Sequence, residues 1–375
     1  MSMELTKCKL GEVVTLLNGR AYLMPELQDS GKYRILRVGN LSGGNDSWYY
    51  SDMELDDNKY CESGDLLYAW ACNFGPHIWK EEKVIFHYHI WKLVVDKKKI
   101  NKFFLYYYLL HQTPFYLGGV NGATMVHITK KNMEKKTIYI PCSLETQHHI
   151  ASILSTYDSL IENNTKRIRL LEKMAENLYK EWFVRFRFPG HENVKMVNGL
   201  PNGWKKGALS DVCEFKRGKN ITSSEMKDGT IPVISAGITP SGFHSHANVY
   251  GISVTMSSSG ANAGYIAVHY SDIWAADCSY IEEASTPYIY YVYELLNNIR
   301  SIINNFQRGA AQPHVYPRDI NRIKMIIPSE DIRKKANEKI GVIHCQINNL
   351  QRQNSLLARQ RDLLLPRLMS GKLEV

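Results

Sequence analysis

The strongest constraint on the fold is a seven-residue apolar repeat between residues 150 and 183. Leu154, Ile161, Ile168 and Ala175 form one row, and Tyr157, Leu171 and Leu178 form the row beside it. Two such rows make the seam of a coiled coil, which needs a partner helix. A second seam lies at the C-terminus, where Ile340, Ile347 and Leu368 fall in one row with Ile343, Leu350, Leu357 and Leu364 beside it. Each seam carries an asparagine, Asn164 and Asn354, and a buried asparagine fixes register by finding a polar mate across the interface. Facing these two in an antiparallel pair also sets Leu171 against Ile347, Ile161 against Leu357, Ile168 against Leu350 and Leu178 against Ile340. The sequence therefore predicts an intramolecular antiparallel two-helix coiled coil. The plainer alternative is a pair of amphipathic helices packed on separate cores.

A chain of 375 residues has room for two or three domains around this rod. Its 44% hydrophobic and 22% charged residues are those of a globular protein, and no stretch approaches the roughly 18 apolar residues of a membrane span. The start MSMELTKCKLGE lacks the apolar core of a secretory signal, so a cytoplasmic protein without a membrane partner is expected. Seven cysteines without a CxxC pair suit a reducing compartment and argue against a disulfide framework or a structural zinc site. A net charge of +9 favours a polyanionic partner.

Residues 1–146 read as short strands with one helix. Candidate strands lie at 34–38, 65–70, 84–88 and 90–95, a Tyr-rich helix at 103–110 is ended by Thr113 and Pro114, and a last strand at 138–141 leads into the heptads. The first spacer helix is placed at 147–188. A linker rich in Gly, Asn and Pro follows at 189–203, then a second domain at 204–328 and a second spacer helix at 329–375. The second half repeats the first. GATMVHITKKNMEKKTIYIP (122–141) aligns without a gap onto GAAQPHVYPRDINRIKMIIP (309–328), pairing His127 with His314 and Pro141 with Pro328. The helices align as well, Leu154 on Ile340 and Ile161 on Ile347, and upstream Gly19 meets Gly218. The match is loosest in the middle of each domain. The predicted fold class is α+β: two similar globular domains joined by the coiled coil, with an approximate twofold axis through it. A seam of about 25 residues spans roughly 37 Å, close to one turn of B-DNA at about 34 to 36 Å, so two basic domains at its ends could read two separated segments of one duplex.

In the order domain, helix, domain, helix, in the two GA…IP strips and in NLYKEWFVRFRFPG closing the first unit, the chain resembles the specificity subunit of type I restriction-modification systems over essentially its full length. The family's usual Pro-Pro-Leu-x-x-Gln after the last strand reads PCSLETQ at Pro141 and PSEDIRK at Pro328 here. The resemblance implies two target recognition domains reading a bipartite, asymmetric double-stranded DNA sequence with a non-specific spacer. It implies a non-catalytic subunit that recruits two adenine-N6 methyltransferase subunits and the restriction and motor subunits. S-adenosylmethionine, ATP and Mg would then sit on those partners, with no cofactor in this chain.

Phosphate contacts come from Lys, Arg and backbone N–H, and base contacts from Arg, Asn, Gln and Ser near groove edges. On that basis, and partly on the resemblance, the first-domain DNA candidates are Arg20, Arg37 and Asn40 with the loop of Asn73 and Phe74. Those of the second are Lys216, Arg217 and Lys219 with the loop of Ser258 and Asn262. His127 and His314 read equally as a DNA contact or as a shared hydrogen bond pinning a strand. The pairs His87 with His89 and His244 with His246 have a metal-site spacing, but no third ligand is evident. The aromatic end of the first helix (Trp182, Phe183) and the leucine-rich end of the second (Leu364, Leu368) are candidate docking surfaces for the methyltransferase subunits, or caps of the coiled coil.

The sequence holds no Asn-Pro-Pro-Tyr or Asp-Pro-Pro-Tyr motif, no P-loop and no HExxH. An enzyme using Glu282-Glu283 or Asp56-Asp57 is one rival, although neither pair recurs in the other repeat. A bivalent coiled-coil scaffold for protein or carbohydrate is the other.

Overall fold

The computed structural model describes residues 3–41, 47–72, 74–117, 128–309 and 312–373. It divides into two compact units. The first comprises the chain up to Glu162 together with the segment from Asn354 onward, and the second comprises Asn163–Gln353. The division falls in the middle of both long helices, so each unit owns half of each.

In the first unit a four-stranded antiparallel sheet has the order Val14–Asn18, Ile90–Val95, Leu66–Ala69, Gly75–Ile78. A second sheet has the order Tyr49–Ser51, Tyr33–Leu36, Val84–Phe86, Tyr60–Cys61, with Tyr33–Leu36 parallel to Val84–Phe86. Leu5–Lys9 pairs with Thr137–Pro141 in a separate ribbon. The strand LLYA is apolar at every position because both of its faces are covered: Leu66 and Tyr68 enter the main core, and Leu67 and Ala69 enter a smaller one with Leu36 and Phe86.

The second unit repeats this order. Lys216–Arg217, Cys278–Glu282, Ser253–Ser257 and Ile266–His269 form the four-stranded sheet; Gly242–His244, Ile231–Ile234 and Trp274–Ala275 form the second, with its last pair again parallel. Lys205–Ala208 pairs with Lys324–Ile327 as the ribbon. The middles of the two domains, poorly matched in sequence, thus share one topology.

The first long helix runs Leu144–Tyr179 and the second Glu330–Met369. The first starts before the expected 147 because Ser143 caps it, its hydroxyl accepting from the N–H groups of Glu145 and Thr146. In the first unit Ile150 and Leu154 share a core with Leu365 and Leu368, and Asp158 pairs with Arg361 at 2.5 Å. In the second, Ala175 and Tyr179 share a core with Ile340, Ile343 and Ile347, with Ile168, Leu171 and Leu178 packed on it. Within each unit the two segments therefore run antiparallel, as the heptads predict. Ile161 and Leu357 are both half-buried in the first unit. The polar mate is different from the one expected: the buried Asn164 donates its Nδ2 to Gln353 Oε1 at 3.4 Å. Glutamine reaches further than asparagine, so a neighbouring position supplies the acceptor.

The Tyr-rich helix extends over Lys102–Leu117 instead of ending at Pro114. Pro114 forfeits the single bond its N–H would have given to the Leu110 carbonyl, while the turn before it is anchored by Thr113 Oγ, which donates to the Leu109 carbonyl at 2.7 Å and meets Tyr68 Oη. Side-chain amides, the buried Gln147 and the half-buried Asn337, tie the long helices to their domains. Gln147 accepts from Asn101 N and donates to the Pro141 carbonyl, and Asn337 Oδ1 accepts from the N–H groups of Tyr290 and Tyr291 at the start of helix Ile289–Asn298. Among the described residues no helix is long and apolar enough to cross a membrane.

Candidate nucleic-acid interface

Each unit turns sharply at the glycine that the repeat aligns. Gly19 N donates to the Ile90 carbonyl and Gly218 N to the Cys278 carbonyl, while the next residues, Arg20 and Lys219, donate to the carbonyls of Phe86 and Ala275. A Cβ on Gly19 would lie 2.4 Å from the carbonyl oxygens of Phe86 and His87; one on Gly218 would lie 2.4 Å from that of Ala276. Only glycine lets these backbones approach so closely.

The strand registers show what stands beside each turn. In the first unit Trp91 sits opposite both Asn18 and Tyr68, and in the second Ser279 sits opposite Arg217 and Met256. Trp91 and Ser279 are thus structural equivalents. Trp70 stacks on Trp91 with centroids 5.7 Å apart, and its equivalent Ser258 lies with its hydroxyl 3.4 Å from that of Ser279. Around the first pair, Tyr88 and His89 add aromatic edges, and a cleft of about 340 Å³ opens between Asn18, Gly19, Trp70, Tyr88, Thr129 and Lys130. Beside the second, Ser259 Oγ donates to Asp277 Oδ2 at 2.6 Å. The same turn therefore stands beside a half-buried aromatic face, Trp70 on the buried Trp91, in one unit, and beside a half-buried carboxylate, Asp277 among buried hydroxyls, in the other. Aromatic faces suit stacking and contact with a thymine methyl; a carboxylate accepts from exocyclic amino groups.

The expected contact residues divide sharply. Arg217 and Lys219 are exposed beside the glycine turn. Arg20 lies at the equivalent turn but is held in a two-pronged ion pair with Glu26, at 2.9 and 2.6 Å. Lys216 pairs with Glu282 at 2.7 Å. Arg37 and Asn40 brace their own loop: the Arg37 guanidinium lies over the Tyr49 ring, Asn40 Oδ1 accepts from Arg37 N, and its Nδ2 donates to the Ser47 carbonyl. Ser258 is buried along with Ser257 and Ser259, while the turn Gly260–Asn262 that follows brings Ala261 to the surface and leaves Asn262 half-buried. Phe74 packs on the first unit's core, and Asn73 and His127 lie outside the described residues. His314 exchanges backbone hydrogen bonds with Arg308.

The proposed docking residues are corrected outright. Trp182 and Phe183 are buried in the second unit's core, Leu368 is fully buried in that of the first, and Leu364 packs beside it. A π-helical turn at Lys180–Val184 changes the spacing of side chains, bringing two successive aromatics inward. The His87 and His89 rings are 4.7 Å apart, and burial, aided by His89 and Arg37, pushes the His87 pKa down to about 4. His244 Nδ1 accepts from Lys227 N. Among the described residues no group of three His, Cys, Asp or Glu could hold a metal. Trp70, Trp91, Asp277 and Ser279 escaped the sequence reading; Trp70 and Trp91 sit inside strands that read as core, and their equivalence to serines needs the register.

Against known proteins, the pattern described as the Type I restriction modification DNA specificity domain matches residues 3–173 and again 201–356. The chain belongs to this specificity family. Each of the two matches contains one domain and runs on into its long helix. Among relatives in the specificity family, the chain is 27% identical over 313 residues to the type I restriction enzyme MjaIX specificity subunit of Methanocaldococcus jannaschii, covering 75% of this chain and 71% of the relative. It is 22% identical over 369 residues to a putative type I specificity subunit of Mycoplasma pneumoniae, covering 97% and 95%. The crystal structure of the type I restriction-modification system S subunit from M. genitalium has the same fold, with a TM-score of 0.61 over 98% of this chain and 96% of that one at 18% identity.

Proposed function

We propose that the chain reads a bipartite, asymmetric DNA target, one segment with each unit, and contributes recognition rather than catalysis. On this reading two adenine-N6 methyltransferase subunits bring S-adenosylmethionine, restriction and motor subunits bring ATP and Mg, and the assembly works on cytoplasmic DNA. The observation that carries it is the repeated glycine turn furnished differently in the two units: beside it stands the half-buried Trp70, backed by Trp91, in one, and the half-buried Asp277, held by Ser259, in the other. One scaffold with two sets of side chains is what reading two different sequences requires. Exposed Arg217 and Lys219 would hold phosphates beside the second cradle.

The test is a binding selection from random duplexes with the chain in complex with its methyltransferase subunits, repeated at rising salt. The reading predicts two short conserved segments separated by a degenerate gap, with affinity falling steeply as salt rises. A bivalent scaffold for protein or carbohydrate would enrich no sequence, and that result would overturn the proposal.

A further inference from the structure

Outside the cradles, the two units share a second feature. In the first unit's ribbon Lys7 stands opposite Tyr139, and in the second unit's ribbon Lys206 stands opposite Ile326. Tyr139 and Ile326 are related by the same separation as Gly122 and Gly309, and so are Phe115, in the last turn of helix Lys102–Leu117, and Ile302, in the short helix Arg300–Asn304 that follows Ile289–Asn298. All four are large, apolar and exposed: Phe115 at 68%, Tyr139 at 48%, Ile302 at 43% and Ile326 at 37%. In the second unit Ile302 and Ile326 line one groove of about 670 Å³ with Ile299, Met325, Lys206 and Lys324. Matched side chains of this kind contribute nothing to either core, and scattered exposure would not recur at equivalent places.

We propose that this ribbon-and-helix face is a protein docking surface, used once in each unit by the same kind of partner. Because it occurs twice, its occupant binds twice; because lysines flank an apolar centre, the occupant presents an apolar patch with an acidic rim. A second copy of this chain would bring lysine against lysine, and duplex DNA offers no apolar surface to match. Resting on the function proposed above, the occupant is the methyltransferase subunit, one per face. The surface replaces the buried helix ends as the docking site.

The experiment expresses the full chain with its methyltransferase subunit and counts subunits by native mass spectrometry for the wild type, Tyr139→Glu, Ile326→Glu and the double variant. Because each side chain is exposed, the variants are expected to fold, and unchanged salt-dependent duplex binding by the chain itself checks this. Lys7→Glu and Lys206→Glu supply an independent pair acting on the acidic rim alone. Each single Glu variant should lose one methyltransferase copy, with at least about tenfold weaker capture at that face, and the double variant should lose both. Variants that keep two copies at wild-type affinity overturn the docking face while leaving the function standing. Loss of duplex binding instead of subunit capture also overturns it, by making this a DNA face. A wild-type chain that captures no methyltransferase subunit overturns both readings.

Discussion

At Gly19 and Gly218 the backbone leaves no room for a side chain. The carbonyls that a Cβ would strike belong to neighbouring chain, which cannot swing aside as a flexible side chain can. Gly218→Ala should therefore destabilise the second unit by about 1–3 kcal/mol, read as a lower urea midpoint, whereas Gly190→Ala, with nothing within 4 Å, carries only the strain of its positive φ. His269 makes a second residue-scale prediction. Its Nε2 meets Thr255 Oγ at 2.8 Å, and burial lowers its pKa from 6.5 to about 4. Below pH 6.5 the unfolded chain takes up a proton that the folded chain refuses, so stability falls as pH drops towards 4 and this contribution levels off below. His269→Gln should flatten that part of a stability-against-pH curve; an unchanged slope would contradict the assignment. The glycine pair was legible from the repeat. Arg20, Arg37 and Asn40 were visible as residues but not in their roles, because nothing in the order of residues announces that Glu26, Tyr49 or Ser47 will fold back onto them.

The long helices were the most legible elements, since seven-residue spacing survives whatever the domains do. What spacing cannot supply is the polar detail. Asp158 accepts from Tyr107 Oη and from Arg361, while the aligned position on the second helix is His344, which meets Glu294 and Tyr270. The same junction between helix and domain is thus built with different charges in each unit. Asp158→Ala should cost the first unit about 1–3 kcal/mol, because it leaves Tyr107 Oη without its acceptor and the half-buried Arg361 with only its chain neighbour Asp362 as an ion-pair partner. The double variant Asp158→Ala, Arg361→Ala, compared with Arg361→Ala, isolates the coupling; additive losses would show that the pair does not stabilise the junction. The helix runs through Pro114 because proline removes one backbone bond, and the packing that anchors the turn before it through Thr113 and Tyr68 is not visible in the order of residues. Likewise, the π-turn that buries Trp182 and Phe183 has no signature in the heptads.

For the whole molecule, the internal repeat made the architecture readable, and the family match at 3–173 and 201–356 repeats the same division. The proposed reading surfaces were less legible because they lie where the repeats diverge, and divergence erases the alignment that would identify them. Only the strand registers equate Trp91 with Ser279. The central claim is that these equivalent cradles read different halves of one target. The measurement that tests it most directly is a genome-wide map of methylated adenines in cells carrying this chain and its methyltransferase, for the wild type, Trp70→Ala and Asp277→Asn. The account predicts a two-part motif with a fixed gap, relaxed in one half by Trp70→Ala and in the other half by Asp277→Asn. A contiguous motif, or relaxation of the same half by both variants, would contradict it.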